Sequence, residues 1–70
     1  DNVRNITRLA TKDIADEYFD GLKKNQRYWF YLIKDYGNAE EFPFILKNIN
    51  KRKVLYYKKD RESMLIYVQN

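Results

Sequence analysis

Three neighbouring side chains, Asn25, Gln26 and Arg27, have the donor and acceptor groups that recognise nucleic-acid bases. Asparagine and glutamine can each make two hydrogen bonds to adenine, and arginine can do the same with guanine. Two cations, Lys23 and Lys24, come directly before them. These groups can contact the same nucleic acid only when one helix, strand or turn presents them on one face. The element that carries them therefore decides whether they can recognise bases together.

The stretch 23–37 is predicted to be a helix with one buried face and one polar face. Trp29, Leu32, Ile33 and Tyr36 fall at i, i+3, i+4 and i+7, which is one apolar stripe of a helix. The opposite face carries Arg27 again and two further candidates, Tyr31 and Lys34. A basic helix of this kind, with amides in its first turn, fits the major groove of DNA.

The same stretch also fits a strand. Residues 28–33 form an unbroken apolar run that is rich in aromatic side chains. Periodicity separates a helix from a buried strand poorly over so few residues. The helix is the preferred prediction, and the strand is its alternative.

A shorter amphipathic helix is predicted before this one, with Thr11 as its N-cap and Asp13 in its first turn. Gly21 is expected to end it. Its apolar face holds Ile14, Ala15, Tyr18 and Phe19. Two helices joined by a tight turn that contains glycine predict a helix-turn-helix, and residues 1–8 are a flexible or lead-in segment.

Residues 44–47 and 51–59 are predicted to be the two strands of a basic hairpin, with the turn at 48–50. Pro43 supports this prediction, because proline pushes the residue before it towards extended geometry. A hairpin after a recognition helix is a wing, whose tip can reach phosphates or the minor groove. The candidate contacts at the tip are Lys47, Asn48, Asn50, Lys51, Arg52 and Lys53.

Two alternatives stay open in this half of the chain. Asn38 and Glu41 are spaced as a capping box, so residues 39–50 could form a third helix. The strand is preferred because that helix would begin with carboxylates, which repel phosphate. Residues 61–69 could be a helix capped by Asp60 or a third strand, and the helix is preferred.

Composition excludes several classes of function. The chain has neither cysteine nor histidine, which removes disulfides and the usual ligands and bases of metal and hydrolytic sites. No apolar run is long enough to cross a membrane, and no signal peptide opens the chain. We therefore expect an intracellular protein that is not an enzyme and that uses no cofactor, metal or membrane.

Charge is segregated along the chain. Residues 11–22 carry one cation and four carboxylates, which is 1 − 4 = −3; residues 23–36 carry 4 − 1 = +3; and residues 47–61 carry 7 − 1 = +6. Two basic segments that bracket aromatic positions are typical of a surface that binds a phosphate backbone. The acidic first helix is a candidate surface for a protein partner.

The order of these segments resembles the winged-helix excisionases of phages and conjugative transposons, a branch of the MerR-like group. The resemblance covers residues 9–68: the first helix over 9–19, the basic helix ending at Gly37, the wing over 44–54 and a final segment from Lys59. It implies a small α+β winged helix-turn-helix with two short helices, a basic wing and a C-terminal helix or strand. The whole chain, 1–70, would be one such domain.

The resemblance also implies a function. Such a protein binds double-stranded DNA, bends it and assists a tyrosine-recombinase integrase during excision of a mobile element. We expect it to be a monomer that can bind cooperatively along DNA. Its base contacts would come from the first turn of the basic helix, and its salt-dependent affinity from the lysines of that helix and of the wing.

Other functions fit the same residues. A small winged-helix transcriptional regulator or a terminase DNA-binding domain would share the docking surface. An RNase toxin of the RelE/ParE kind would have residues 3–8 as a first strand, then two helices, then a sheet that ends with strands at 53–57 and 64–68. It would need residues 3–8 paired into a sheet with at least three further strands. Its candidate catalytic residues would be Lys51, Arg52, Tyr57 and Arg61. A protein-interaction module would use exposed tyrosines instead.

Overall fold

The computed structural model describes residues 3–9, 11–33 and 42–70, which contain two helices and four strands. In chain order the elements are β1 (Val3–Asn5), α1 (Lys12–Asp20), β2 (Arg27–Ile33), α2 (Pro43–Asn50), β3 (Lys53–Lys59) and β4 (Ser63–Gln69). The strands form one mixed sheet in the order β1-β2-β4-β3. The predicted α+β class is confirmed at this level.

Helix α1 is the predicted first helix. Thr11 is its N-cap, and the hydroxyl of Thr11 accepts a hydrogen bond from the Ile14 amide at 3.3 Å. Gly21 ends the helix and donates its own amide to carbonyl groups of the last turn. The buried residues of α1 are Ala15 and Phe19, from the predicted apolar face.

The predicted recognition helix is wrong, because the centre of that stretch is strand β2. Phe30 and Leu32 are fully buried, whereas Arg27 and Ile33 are exposed, which is the period of two that a strand requires. β2 has a hydrogen-bonded neighbour on each side. A central strand favours aromatic and β-branched residues, and this packing outweighs the helical spacing in the sequence. Residues 34–37 lie outside the described part of the chain.

Helix α2 replaces the predicted first strand of the wing, so the alternative of a helix within 39–50 is correct from Pro43 onwards. Proline is tolerated in the first turn of a helix, where its missing N–H would have no partner in any case. Ile45 and Ile49 lie one turn apart and are both buried. Phe42 precedes the helix with a φ of 43°, in the left-handed region. The predicted capping box lies outside the described residues.

Strand β3 confirms the predicted return strand, but its partner is β4 and not residues 44–47. The C-terminal segment is a strand where a helix was preferred. In β4, Met64, Ile66 and Val68 are buried and alternate with half-buried residues. This alternation places all three buried side chains on the face of the strand that packs on the core. In a helix, residues two apart point to opposite sides, so the same three residues could not share one face.

Strand β1 shows that part of the lead-in segment is a strand. It runs parallel to β2, with Val3 opposite Trp29. Beyond the strand, the Thr7 hydroxyl accepts a hydrogen bond from the Ile33 amide at 2.9 Å. β1 is therefore the strand at one edge of the sheet.

The chain order of the elements differs from both folds considered from the sequence. β2 separates the two described helices, so they do not form a helix-turn-helix, and the winged-helix arrangement is not confirmed. The sheet does contain residues 3–5 and three further strands, as the toxin alternative requires. That alternative, however, placed both helices before the remaining strands.

One apolar core lies between the helices and one face of β2 and β4. The rings of Phe19 and Phe30 meet edge to face with their centroids 5.4 Å apart. The core consists of Ile6, Ala15, Phe19, Leu22, Phe30, Leu32, Ile45, Ile49, Met64, Ile66 and Val68. Neither described helix is both long and apolar enough to cross a bilayer.

Two adjacent residues of β2 test the strand. Leu32→Ala should lower the free energy of unfolding by about 2–5 kcal/mol, because it leaves a cavity in the core. Ile33→Ala should cost less than about 1.5 kcal/mol, because Ile33 is exposed on the other face. Urea unfolding followed by circular dichroism measures both values. A helix would bury both residues, so equal losses would contradict the strand.

Candidate nucleic-acid interface

Among the described residues, the two helices cover only one face of the sheet, and we call the other face the open face. Side chains alternate between the two faces of a strand, and the buried residues of β2 and β4 identify the helix side. The register then places the open face on the remaining positions. They are Val3, Asn5, Arg27, Trp29, Tyr31, Ile33, Lys53, Tyr56, Lys58, Ser63, Leu65, Tyr67 and Gln69.

Three rings cluster on the open face, and we call them the aromatic row: Trp29, Tyr67 and Tyr56. They occupy paired positions on β2, β4 and β3. Trp29 and Tyr67 stack with centroids 4.3 Å apart and planes 18° apart. Trp29 and Tyr56 lie 5.8 Å apart and are tilted by 59°. The sheet register holds these rings together on a surface that faces away from the core.

Cations border the aromatic row. Arg27 and Lys53 lie on either side of Gln69 in the register, and the Arg27 Nε donates to Gln69 Oε1 at 2.9 Å. Lys58 lies beyond the row, beside Leu65. None of the strand residues placed on the open face is a carboxylate. This combination attracts anions and offers flat rings for stacking.

Parts of the two basic segments of the sequence meet at one end of the sheet, which we call the basic end. It comprises Lys23, Lys24, Arg27, Lys51 and Lys53, all exposed. They come together because β2 begins, β4 ends and β3 begins at this edge. The predicted wing and recognition helix are therefore replaced by strand ends and turns.

Asn70 fixes the turn that carries the first basic segment. Its amide N–H donates to the Gln26 carbonyl at 2.8 Å, and its side-chain Nδ2 donates to the Lys23 carbonyl at 2.8 Å. Asn25 adopts a φ of 62° in this turn. Tyr28 accepts a hydrogen bond from the Lys23 amide through its hydroxyl, at 2.9 Å. The turn is held by its backbone, which leaves the side chains of Asn25 and Gln26 exposed.

A groove of 780 Å³ runs from this turn onto the open face. Its lining includes Arg4, Lys23, Asn25, Gln26, Arg27, Trp29 and Tyr67. A smaller cleft of 420 Å³ adjoins Lys51 and Lys53, with the carboxylate of Asp20 in its lining. The groove joins the basic end to the aromatic row, so one extended ligand could contact both.

Two predicted binding residues have structural roles instead. Asn48 is buried, and its Nδ2 donates to Asp16 Oδ1 and to the Phe44 carbonyl, both at 2.9 Å. Arg52 donates to Asn70 Oδ1 at 2.7 Å, and to the carbonyls of Asn48 at 2.8 Å and Phe19 at 3.0 Å. The prediction that these two side chains contact DNA is wrong, because α2 and its C-terminal end turn them towards the protein.

The remaining predicted residues are divided between surfaces. Tyr31 lies on the open face, next to the aromatic row along β2. Lys47 and Asn50 are exposed on α2, in the helix layer. Lys34 lies outside the described residues. The open face therefore holds only part of the predicted set.

The toxin candidates do not converge. Arg52 is engaged in the hydrogen bonds given above. Tyr57 lies towards the helix side, where its hydroxyl contacts Met64 Sδ at 3.6 Å. Lys51 precedes β3 and Arg61 follows it, so the length of that strand separates them. Within the described residues, no three carboxylates are grouped so that they could hold a metal ion.

Sequence reasoning missed the aromatic row and Lys58. The signal was present as period-two alternation: Arg27, Trp29 and Tyr31 in one strand, and Leu65, Tyr67 and Gln69 in the other. It was overlooked because both segments were assigned to helices. Comparison of the chain with models of protein families, with curated proteins and with solved structures finds no match.

The structural role of Arg52 predicts a contrast with its neighbour. Arg52→Ala should lower the free energy of unfolding by at least about 1.5–3 kcal/mol, the value of one hydrogen bond from a charged group. Lys51→Ala should change it by less than about 0.5 kcal/mol, as is usual for an exposed residue. Each substitution removes one positive charge, so the pair separates structure from charge. Chemical denaturation would contradict this assignment if both variants lost equal stability.

The Asp16 carboxylate predicts a dependence of stability on acid. Its pKa lies below the ordinary value because Asn48 donates a hydrogen bond to it, and because Lys12 forms an ion pair with it at 2.9 Å. A lowered pKa stabilises the fold above the unfolded-state pKa. That contribution should disappear as the pH falls below about 4, through the folded-state pKa.

Urea unfolding at several values between about pH 3 and pH 6 measures this effect. Asp16→Asn should flatten the decrease in stability towards acid. Asp13→Asn removes a carboxylate from the same helix and is the control that should keep the decrease. Identical profiles for Asp16→Asn and the parent protein would show that Asp16 makes no such contribution.

Proposed function

We propose that this chain binds single-stranded nucleic acid on the open face of its sheet. The observation that carries the proposal is the aromatic row, with cations at its borders and no carboxylate among its strand neighbours. Every base has a flat face that stacks on an aromatic ring, and each stacked base contributes about 1–3 kcal/mol. Arg27, Lys53 and Lys58 are placed to contact the phosphates that join such bases.

The geometry favours a single strand over a duplex. In a duplex the base faces are stacked on one another, so an aromatic row on a flat sheet cannot reach them. In a single strand the bases can turn outwards and extend the stack formed by Trp29 and Tyr67. The sheet is wide enough for successive bases, because neighbouring strands lie about 4.8 Å apart.

The basic end would extend the same site. Lys23 and Arg27 line the groove beside Trp29, and Asn25 and Gln26 expose amides there. These groups can hydrogen-bond to the edges of an unpaired base while the cations hold its phosphate. The three residues that first suggested base recognition thus keep that role in the proposal, although a turn and a strand end present them.

Excision of a mobile element with an integrase, transcriptional regulation and bending of duplex DNA stay predictions. They rested on a recognition helix, and residues 27–33 of that segment are β2. Exposed lysines remain available for duplex phosphates at the basic end, so binding to duplex DNA is the natural comparison in any test.

Trp29 is the only tryptophan of the chain, and its fluorescence therefore reports on the open face directly. We expect an oligonucleotide of about 20 nucleotides to quench this fluorescence, with single strands binding more tightly than a duplex of the same sequence. Single-stranded DNA and RNA are tested in parallel. An unchanged spectrum with all ligands at low salt would overturn the proposal.

Variants distinguish stacking from charge. Tyr67→Ala should weaken single-strand binding by about 10- to 100-fold, which corresponds to one lost stacking contact. Tyr57→Ala is the matched control, because it removes an exposed tyrosine from the other side of the sheet. Fluorescence anisotropy of a labelled oligonucleotide measures both. Equal effects of the two variants would contradict the assigned face.

Salt dependence tests the cations separately. Lys53→Ala should reduce the slope of log affinity against log salt by about 0.7, the value for one phosphate contact of a single strand. Lys47→Ala removes the same charge from α2 and should leave the slope unchanged. A slope that responds equally to both substitutions would indicate attraction by net charge alone.

A further inference from the structure

Strand β3 is the outer strand of the sheet, and all seven of its residues are exposed. Four of them are large apolar residues in succession: Val54, Leu55, Tyr56 and Tyr57 expose 41%, 38%, 46% and 53% of their surface. No strand of the described residues pairs with the outer edge of β3. An edge that is both apolar and unpaired is a template for a further strand.

The helix layer covers little of β3. Val54 pairs with Val68 and Tyr57 pairs with Ile66, so these side chains lie on the helix side of the sheet. Their partners on β4 are 0% and 1% exposed, whereas Val54 and Tyr57 remain largely in solvent. An added strand with its own apolar side chains would cover the surface that α1 and α2 leave open.

Lysines set the charge of this edge. Lys53 precedes the apolar residues, and Lys58 and Lys59 follow them. In the antiparallel register that pairs all four apolar residues with those of a second copy, Lys53 of each chain would lie opposite Lys58 of the other. Like charges directly opposite each other destabilise strand pairing. The lysines therefore disfavour self-association and favour a partner with the opposite charge.

We propose that β3 binds an extended segment of another protein, one with apolar residues at its centre and carboxylates on both sides. The segment would add to the sheet as a strand beside β3, with backbone hydrogen bonds for affinity and charge for selection. Lys53, Tyr56 and Lys58 belong both to this edge and to the open face, but the edge proposal rests on the unpaired backbone of β3. This inference therefore stands whether or not the open face binds nucleic acid.

Two synthetic peptides test the proposal. Each has alternating valine and tyrosine at its centre, and one has glutamates at both ends where the other has lysines. The acidic peptide should slow amide hydrogen exchange in residues 53–59, followed by NMR, and the basic peptide should leave it unchanged. No protection of these amides with millimolar acidic peptide would overturn the proposal, as would equal protection by both peptides.

Charge reversal locates the site. The double variant Lys58→Glu and Lys59→Glu should weaken binding of the acidic peptide by about tenfold or more, because like charges would then face each other. Arg8→Glu with Lys47→Glu changes the net charge by the same amount away from β3, because Arg8 follows the opposite edge strand and Lys47 lies on α2, and should bind as the parent protein does. Equal weakening in both variants would contradict docking at β3. So would sedimentation that shows the free protein to be a dimer with its β3 amides already protected.

Discussion

The rest of this fold depends on two short helices, α1 and α2, that cover one face of β2 and β4. Phe30 at the centre of β2 meets Phe19 of α1, and Ile45 of α2 is fully buried in the same cluster. Helices of nine and eight residues cover the middle of the sheet and little more. Within the described residues, the aromatic row, in which Trp29 and Tyr67 are half-buried, and the exposed outer strand β3 both lie outside this limited cover.

Polar contacts hold the basic end in position without opposing charges. Asn70 bonds to the turn before β2 and accepts a hydrogen bond from Arg52, which in turn reaches the Phe19 carbonyl. Arg52 is thus satisfied by neutral acceptors within the protein. The lysine side chains around it take no part in these hydrogen bonds and remain available to a ligand. Hydrogen bonds to neutral backbone groups, which salt does not screen, set the geometry of the basic end.

The sequence predicted the elements that have strong local signals. Thr11 and Gly21 bounded α1 correctly, because capping and chain reversal are decided by a few neighbouring residues. For β2 the strand was only the alternative prediction, because Trp29, Leu32 and Ile33 have helical spacing by themselves, and only their pairing with β4 decides between helix and strand. Only part of the predicted charge lies together, at the basic end, and Asn48 turned inwards, because the burial of a single amide depends on the whole packing of α2.

The register of the central strands also sets when the molecule can fold. The Arg27 side chain bonds to that of Gln69, a partner 42 residues further along the chain. During synthesis, the aromatic run of β2 is therefore made well before the strand that will cover its edge. At about 5–20 residues per second, the delay between Ile33 and Gln69 amounts to roughly 2–7 seconds. Through that interval the aromatic strand β2 lacks its native neighbour β4. The nascent chain on the ribosome is therefore the state in which aggregation must be avoided.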